Sequence, residues 1–204
     1  MGPGYLKKRK KLLKVAITGI FGSGKSTVTS IFRKEGIPVI SCDEIVHQLL
    51  EKKEVAGSIE KAFGRDVVSK GRIDRRKLGS IVFADKASRL ALEKLIHPEV
   101  FKEIERIILD YNGKSGIIVI EIPLLFETKS ENLFSKVIVV TASPEKIKKR
   151  LKEQFKEEEI EDRWHSQIPL EQKERKADYC IDNSGSLQDT VKQVRLVIKK
   201  LTKR

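Results

Sequence analysis

The chain has 204 residues, of which 39% are apolar, and this length and composition suffice for one compact unit with a substantial core. Its 42 Lys and Arg residues outnumber 29 Asp and Glu, so the formal net charge is +13 and favours acidic partners, whether nucleic acid, anionic lipid or a polyphosphate metabolite. No apolar stretch approaches the roughly 20 residues of a membrane span and the N-terminus lacks a signal peptide, so we expect a cytoplasmic protein without a membrane partner.

The chain begins with a basic tail, residues 1–13. The run KKRKKLLK at residues 7–14 contributes six basic residues and no acid. Such a run is typical of a solvated tail, and a contact with nucleic acid is the alternative.

Five short apolar runs predict the strands of a sheet. In chain order they are VAITG (15–19), IPVIS (37–41), GIIVIEI (116–122), KVIVVTA (136–142) and DYCID (178–182). Runs that are apolar at nearly every position suit strands covered on both faces, as in a parallel sheet with crossover helices. Their alternation with helical patterns predicts an α/β fold with a five-stranded parallel sheet flanked by helices.

Two long intervals between these runs predict additions to the sheet. The interval after the second run has helical periodicity and predicts a helical lobe, in which Pro98 should kink or divide the last helix. The interval after the fourth run, PEKIKKRLKEQFKEEEIEDRWHSQIPLEQKERKAD, is intensely charged and poorly suited to a buried core. It is either a mobile lid or two exposed helices.

The two cysteines, Cys42 and Cys180, are far apart in the sequence. Neither lies in a CxxC motif or in the His-rich spacing typical of a metal site. We therefore expect both to be reduced, small apolar residues of the core.

A phosphate-binding motif follows the first predicted strand and precedes a helical pattern. Gly19, Gly24, Lys25 and Ser26 match G-x-x-x-x-G-K-[ST], in which backbone N–H groups surround phosphate, the lysine reaches the β- and γ-phosphates and the hydroxyl binds Mg²⁺. A glycine-rich turn that binds nothing would explain the glycines but not the Lys-Ser pair. The predicted ATP-binding residues, with Ser26 also as the Mg²⁺ ligand, are Gly22, Ser23, Gly24, Lys25, Ser26 and Thr27.

Two acids at predicted strand ends are candidates for metal binding or catalysis. Glu121 ends the run IIVIE and either binds metal or is an incidental acid at the end of a core strand. Asp43 follows the second run, at the edge where open α/β sheets bind ligands. A small-molecule kinase needs an acid at the end of the strand that neighbours the phosphate loop, where it accepts the proton of the acceptor hydroxyl. Capping of the next helix is the alternative role for Asp43.

Seven segments occur in the order seen in dephospho-coenzyme A kinases, over residues 14 to about 200. They are ITGIFGSGKSTV, IPVISCDEIVHQLL, GRIDRRKLGSIVF, LIHPEVF, EIPLLFE, VIVVTASPE and ADYCIDNSGS. The sequence thus resembles that family, which implies transfer of the ATP γ-phosphoryl group to the ribose 3′-hydroxyl of dephospho-coenzyme A, the last step of coenzyme A synthesis. It also implies a single nucleotide-kinase unit over residues 1–204, with a core (14–43, 114–146 and 178–202), a helical acceptor-binding insertion (44–113) and a lid (147–177).

The resemblance also implies roles for residues outside the phosphate loop. Asp43 would be the base that deprotonates the ribose hydroxyl. Arg75 and His97 would contact the acceptor, although an exposed helical arginine and a structural histidine are the alternatives. Glu127 in PLLFE is expected only to cap a helix.

Arginines of the predicted lid would neutralise charge on the transferring phosphoryl group, with Arg150 as a catalytic residue beside Lys25 and Asp43. Arg163 and Arg175 are further candidates, and a solvated surface charge is the alternative for each. Two positions depart from the family pattern. Ser41 replaces the first acid of the family's usual Asp-Ala-Asp, and Gln154 replaces a second arginine. Lys152 is the candidate substitute for that arginine, but a lysine lacks the planar guanidinium that binds two phosphate oxygens.

The resulting prediction is a kinase that uses ATP, Mg²⁺ and dephospho-coenzyme A, needs no nucleic acid and acts as a monomer. A kinase for another nucleoside or nucleotide is one alternative. A P-loop NTPase that binds nucleic acid is the other, and the net charge of +13 is its only support.

Overall fold

The computed structural model describes residues 12–69, 71–111, 116–153 and 155–203. They form two compact units. The first comprises the described residues up to Ile40 and from Gly116 onward, and the second those from Ser41 to Tyr111. Most of the basic tail (residues 1–11) and Gln154 lie outside the described residues, so the hypotheses about them stay predictions.

Five of the strands in the described residues form one parallel sheet with the order β2-β5-β1-β6-β7, which confirms the predicted α/β fold. The other two form a small antiparallel pair that the sequence did not predict. The strands are β1 Leu13–Thr18, β2 Val39–Ser41, β3 Val68–Ser69, β4 Arg72–Ile73, β5 Ile117–Glu121, β6 Lys136–Thr141 and β7 Tyr179–Asp182.

The centre of the sheet is buried on both faces, as the uninterrupted apolar runs predicted. In β1, Val15, Ala16 and Ile17 are fully buried, and Val15 lies opposite Val119 of β5. Because β5 lies between β1 and β2, the expectation that the strand before Asp43 neighbours the strand of the phosphate loop is wrong. Parallel strands nevertheless end at the same edge of the sheet, where ligands of such folds bind.

Nine α-helices occur in the described residues. In chain order they are α1 Lys25–Lys34, α2 Cys42–Leu49, α3 Lys53–Phe63, α4 Arg75–Ala84, α5 Lys86–Asp110, α6 Pro144–Lys152, α7 Glu157–His165, α8 Leu170–Arg175 and α9 Leu187–Thr202. Phe32 of α1 and Val194 of α9 are fully buried and pack in the core of the main sheet. Within the described part of the chain, none of these helices has the length and apolar character needed to cross a bilayer.

The second unit is organised around α5, against which α2, α3 and α4 pack. Pro98 lies inside this helix and does not divide it. Ile96, Val100 and Ile104 are spaced at four-residue intervals and are all buried, so one apolar face runs past the proline. Packing of this face holds the helix together despite the missing amide donor.

The charged interval after β6 forms three helices, α6, α7 and α8, and not two. The expectation that this interval is unsuited to a buried core is wrong, because Ile147, Leu151 and Ile160 are buried together. Phe21, from the loop after β1, packs against the same cluster. The apolar anchors were few, but their spacing of four residues in α6 puts them on one face.

Both cysteines are free, but only Cys42 is buried. The prediction that Cys180 lies in the core is wrong. β7 is an edge strand, and side chains alternate along it, so Ile181 is buried while Cys180 and Asp182 are exposed.

Candidate functional site

The loop between β1 and α1 has the backbone shape that the phosphate-binding motif predicts. Gly22 and Gly24 adopt φ angles of 84° and 87°, a conformation that favours glycine. The fit around Gly24 is also close, because a Cβ atom there would lie 2.1 Å from Nδ2 of Asn183. The glycines are therefore required both by backbone angle and by contact with a distant side chain.

Lys25, the first residue of α1, directs its ammonium group back over the loop. Its Nζ atom donates hydrogen bonds to the carbonyl oxygens of Gly19, at 3.1 Å, and Ile20, at 3.0 Å. Ser26 follows with an exposed side chain at the start of the helix. The positive charge, the helix N-terminus and the hydroxyl of the motif are thus in one place, which suits a bound phosphate.

Two side chains hold the outer side of this loop. The carbonyl oxygen of Ser23 accepts hydrogen bonds from Asn183 Nδ2, at 3.0 Å, and from an Arg150 guanidinium nitrogen, at 3.3 Å. In a trans peptide the N–H group points away from the carbonyl, so these bonds turn the N–H of Gly24 to the opposite side. Asn183 and Arg150 thereby help to orient the donors that phosphate would use.

Asn183 is itself fixed on all sides, and the sequence analysis assigned it no role. It is 4% exposed, its Oδ1 atom accepts a hydrogen bond from the Thr190 hydroxyl at 3.1 Å, and its backbone N–H donates to Thr141. The signals in the sequence were its place directly after the last strand and within ADYCIDNSGS, one of the segments that carry the family resemblance. Arg150, predicted to act on the transferring phosphoryl group, also donates to the Asn183 carbonyl oxygen at 3.0 Å.

Glu121 ends β5 beside the phosphate loop strand and is 9% exposed. The Thr29 hydroxyl lies 3.1 Å from its Oε2 atom and 3.1 Å from the Ser26 carbonyl oxygen. One buried carboxylate and one exposed hydroxyl are oxygen ligands of the kind that Mg²⁺ accepts. Among the described residues no cluster of three or more His, Cys, Asp or Glu could hold a metal by itself, so phosphate oxygens would complete such a site.

The other predicted lid residues lie in different surroundings. The Arg163 guanidinium lies 4.5 Å from the ring centre of Phe21 and 4.7 Å from that of Phe155. Burial lowers the pKa of this guanidinium from its ordinary value, although arginine stays charged. Arg175 is exposed at the end of α8, and Lys152 Nζ lies 3.7 Å from the Glu157 carboxylate.

Glu127 does not cap a helix, so that expectation is wrong. Its Oε1 atom lies 2.9 Å from the ammonium of Lys173, whose side chain is completely buried, and accepts the Ile168 backbone N–H at 2.8 Å. The Lys173 ammonium also lies 3.5 Å from the Pro123 carbonyl oxygen. The turn after β5 and helix α8 are thus joined by a buried ion pair that composition alone could not reveal.

Asp43, Arg75 and His97 lie in the second unit, on α2, α4 and α5. Asp43 is exposed in the first turn of α2, but the cap is Ser41, whose side chain accepts the Glu44 backbone N–H. Capping therefore does not explain Asp43. Arg75 is exposed at the start of α4, whereas His97 is half-buried on α5.

Comparison with known proteins shows one consistent similarity. The family model described as dephospho-CoA kinase matches residues 13–189. A dephospho-CoA kinase from Aquifex aeolicus is 39% identical over 193 residues, which cover 93% of this chain and 98% of that protein. The crystal structure of TT1252 from Thermus thermophilus has a TM-score of 0.80 at 32% identity and covers 95% of this chain and all of its own. A dephospho-CoA kinase from Campylobacter jejuni has a TM-score of 0.65 at 33% identity, with 95% and 99% covered.

Proposed function

Because this chain belongs to the dephospho-CoA kinase family, we propose that it transfers the γ-phosphoryl group of ATP to the ribose 3′-hydroxyl of dephospho-coenzyme A. The product is coenzyme A, so the reaction is the final step of its biosynthesis. The observation that carries this proposal is a complete phosphate-binding loop within a chain that matches the family over residues 13–189.

The loop residues Gly22 to Thr27 bind the ATP phosphates in this proposal. Backbone N–H groups and the positive end of α1 neutralise the β-phosphate, and Lys25 moves from its bonds to the Gly19 and Ile20 carbonyls to the β- and γ-phosphates. Since phosphoryl transfer needs little covalent chemistry from the protein, positioning and charge neutralisation supply most of the acceleration.

Magnesium fits the oxygen ligands near this loop. The exposed Ser26 hydroxyl would hold the ion directly, and Glu121 would support it from the end of β5. When bound, the ion neutralises charge on the phosphate oxygens. The Thr29 hydroxyl, between the Ser26 carbonyl and Glu121, keeps this carboxylate in one orientation.

Asp43 is the base in this proposal and accepts the proton of the ribose hydroxyl. Its support is the family resemblance, its exposed position and the assignment of the cap to Ser41. Arg75 and His97 contact the acceptor from the same unit. Residues 44–113 thereby form the acceptor-binding insertion and residues 147–177 the lid, in which Arg150, Arg163 and Arg175 are the candidates to neutralise the transferring group.

The test is ATP consumption with dephospho-coenzyme A, followed by location of the new phosphate on the product. We expect Asp43→Asn to lower turnover at least about a hundredfold, in line with general-base contributions of roughly 10²–10⁴, with ATP binding nearly intact. Asp66→Asn, at another exposed aspartate of the same unit, is the matched control and should turn over like the wild type. Wild-type turnover by Asp43→Asn would exclude the base assignment.

Two alternatives need their own measurements. Nucleoside monophosphates phosphorylated as fast as dephospho-coenzyme A would overturn the proposed acceptor. Deletion of residues 1–11 tests the alternative of nucleic-acid binding, because kinase turnover should survive while any polynucleotide binding disappears. Leu13, which the sequence placed in the tail, is kept because it is buried as the first residue of β1. We also propose a monomer in the cytoplasm, which size-exclusion chromatography with and without substrates would check for its oligomeric state.

A further inference from the structure

Phe21 of the phosphate loop is held through both of its backbone groups by residues near the end of α7. Its N–H donates to Oε1 of Gln167 at 3.0 Å, and its carbonyl oxygen accepts a hydrogen bond from Nε1 of Trp164 at 3.2 Å. These partners lie more than 140 positions away in the sequence but within the same compact unit. The contact therefore joins the loop to the charged interval after β6.

The side chain of Phe21 is held by the same interval. Its ring meets that of Phe155 edge to face, with 5.1 Å between the ring centres. The Arg163 guanidinium lies over the Phe21 ring at 4.5 Å from its centre, a favourable cation–π arrangement. Phe21 thus has few conformations open to it, although Gly19 and Gly22 on either side are flexible in an unconstrained chain.

The position of Gln167 is fixed by the buried ion pair described above. The next residue, Ile168, donates its backbone N–H to Glu127, which pairs with Lys173. Thr18, which directly precedes the loop, donates to the Pro123 carbonyl oxygen, the same oxygen that Lys173 approaches. The start of the loop and the residue that holds Phe21 therefore share one buried network.

We propose that Trp164 and Gln167 are positioning residues for ATP, which fix the Phe21 peptide groups and so keep the phosphate loop in its binding conformation. A loop that is already ordered does not lose conformational freedom when the triphosphate binds, so ATP binds more tightly. By linkage, bound ATP stabilises the hydrogen bonds of Trp164 and Gln167 to Phe21 by the same free energy. The proposal uses the ATP binding of the proposed function but not its acceptor.

The deciding measurement is the dissociation constant for ATP with Mg²⁺, determined by titration calorimetry without acceptor. Gln167→Met keeps the length of the side chain but leaves the Phe21 N–H without its acceptor, and we expect the Kd to rise about tenfold. Gln172→Met makes the same change at an exposed glutamine of α8 and should leave the Kd unchanged. An ATP Kd within twofold of the wild type in folded Gln167→Met overturns the proposal.

A second variant decides the matter if Gln167→Met does not fold. Trp164→Phe keeps an aromatic ring but removes the donor to the Phe21 carbonyl, and it should weaken ATP binding by several-fold while the KM for dephospho-coenzyme A stays constant. A general loss of stability would lower the unfolding midpoint without this selective effect. If both variants fold and bind ATP like the wild type, the two residues have no positioning role.

The chain also carries its own spectroscopic probe, since Trp164 is its only tryptophan. We expect its emission maximum to stay in place when ATP is added, because the loop already has its binding conformation and the indole keeps the Phe21 carbonyl as its acceptor. A shifted maximum at saturating ATP would mean that ATP rearranges this contact, and it contradicts the proposal of a preformed loop. Failure of dephospho-coenzyme A as acceptor would instead appear as ATP binding with normal Kd and no transfer, so the two failures are distinguishable.

Discussion

The buried ion pair between Lys173 and Glu127 provides the sharpest test of the forces that hold the first unit together. Replacing Lys173 with Met keeps an apolar chain of similar length in a site where the native side chain is completely buried. Little apolar contact is lost. The main effect is that the Glu127 carboxylate, 15% exposed, loses the ammonium 2.9 Å away.

The expected cost follows from this geometry. Removing one partner of a buried ion pair destabilises a protein by about 3–5 kcal/mol, because the remaining charge is uncompensated. Glu127 keeps the Ile168 N–H as its one assigned donor, while its Oε2 atom is buried without a hydrogen-bond partner among the described residues. We therefore expect Lys173→Met to fall in this range. The double variant Lys173→Met/Glu127→Gln should recover most of the loss, because the neutral amide still accepts from Ile168.

Urea unfolding followed by Trp164 emission is the assay, since this tryptophan lies in the same unit as the pair. Lys192→Met is the control, because the exposed Lys192 ammonium lies 3.6 Å from Asp189 and such pairs contribute about 1 kcal/mol or less. A double variant as unstable as Lys173→Met alone would refute the electrostatic explanation. The loss would then come from packing.

The α/β fold was predictable from the sequence because each strand of its main sheet corresponds to a short apolar run of neighbouring residues. Four of the five strands of the main sheet lie within the predicted apolar runs, while β1 begins at Leu13, two residues before its run. Burial on both faces explains why those runs do not alternate between apolar and polar residues. The small β3–β4 pair was missed because each of its strands has only two residues. The order of the strands was not predictable from the sequence either, and the expectation that β2 neighbours β1 was wrong because β5 lies between them.

The candidate site likewise has a part that the sequence predicted and a part that it did not. The phosphate loop is contiguous, and its spacing alone indicated Lys25 and Ser26. Asn183 and Gln167 contact that loop from more than 140 positions away, and a lone polar residue carries no periodic signal. Their partners could be recognised only after folding had brought them to the loop.

The incorrect expectations about these side chains share one physical cause, which is that composition does not show which residues a side chain will contact in the folded protein. Lys173 lies in the charged interval that was expected to be unsuited to a core and Glu127 was expected to cap a helix, yet the two form an ion pair in which the Lys173 side chain is completely buried. Cys180 reads as a core residue, yet its strand lies at the edge of the sheet. Burial of these residues is decided by tertiary neighbours and not by hydropathy.

Two further predictions concern the loop and the exposed thiol. Gly24→Ala would place a Cβ atom 2.1 Å from Asn183 Nδ2 at a residue with a φ of 87°. Calorimetry should therefore show ATP affinity lowered roughly tenfold or more. Gly36→Ala is the control and should bind ATP normally, because its backbone is similarly strained but its Cβ would lie in open space. Partial burial, and secondarily the Glu174 carboxylate, raise the pKa of the Cys180 thiol. A raised pKa leaves less reactive thiolate at neutral pH, so iodoacetamide should modify Cys180 more slowly in the folded protein than in urea, as measured by mass spectrometry. The difference should narrow as pH rises, because the folded thiol deprotonates at higher pH than the unfolded one. A rate ratio that is constant with pH would instead mean that restricted access, and not the pKa, slows the reaction.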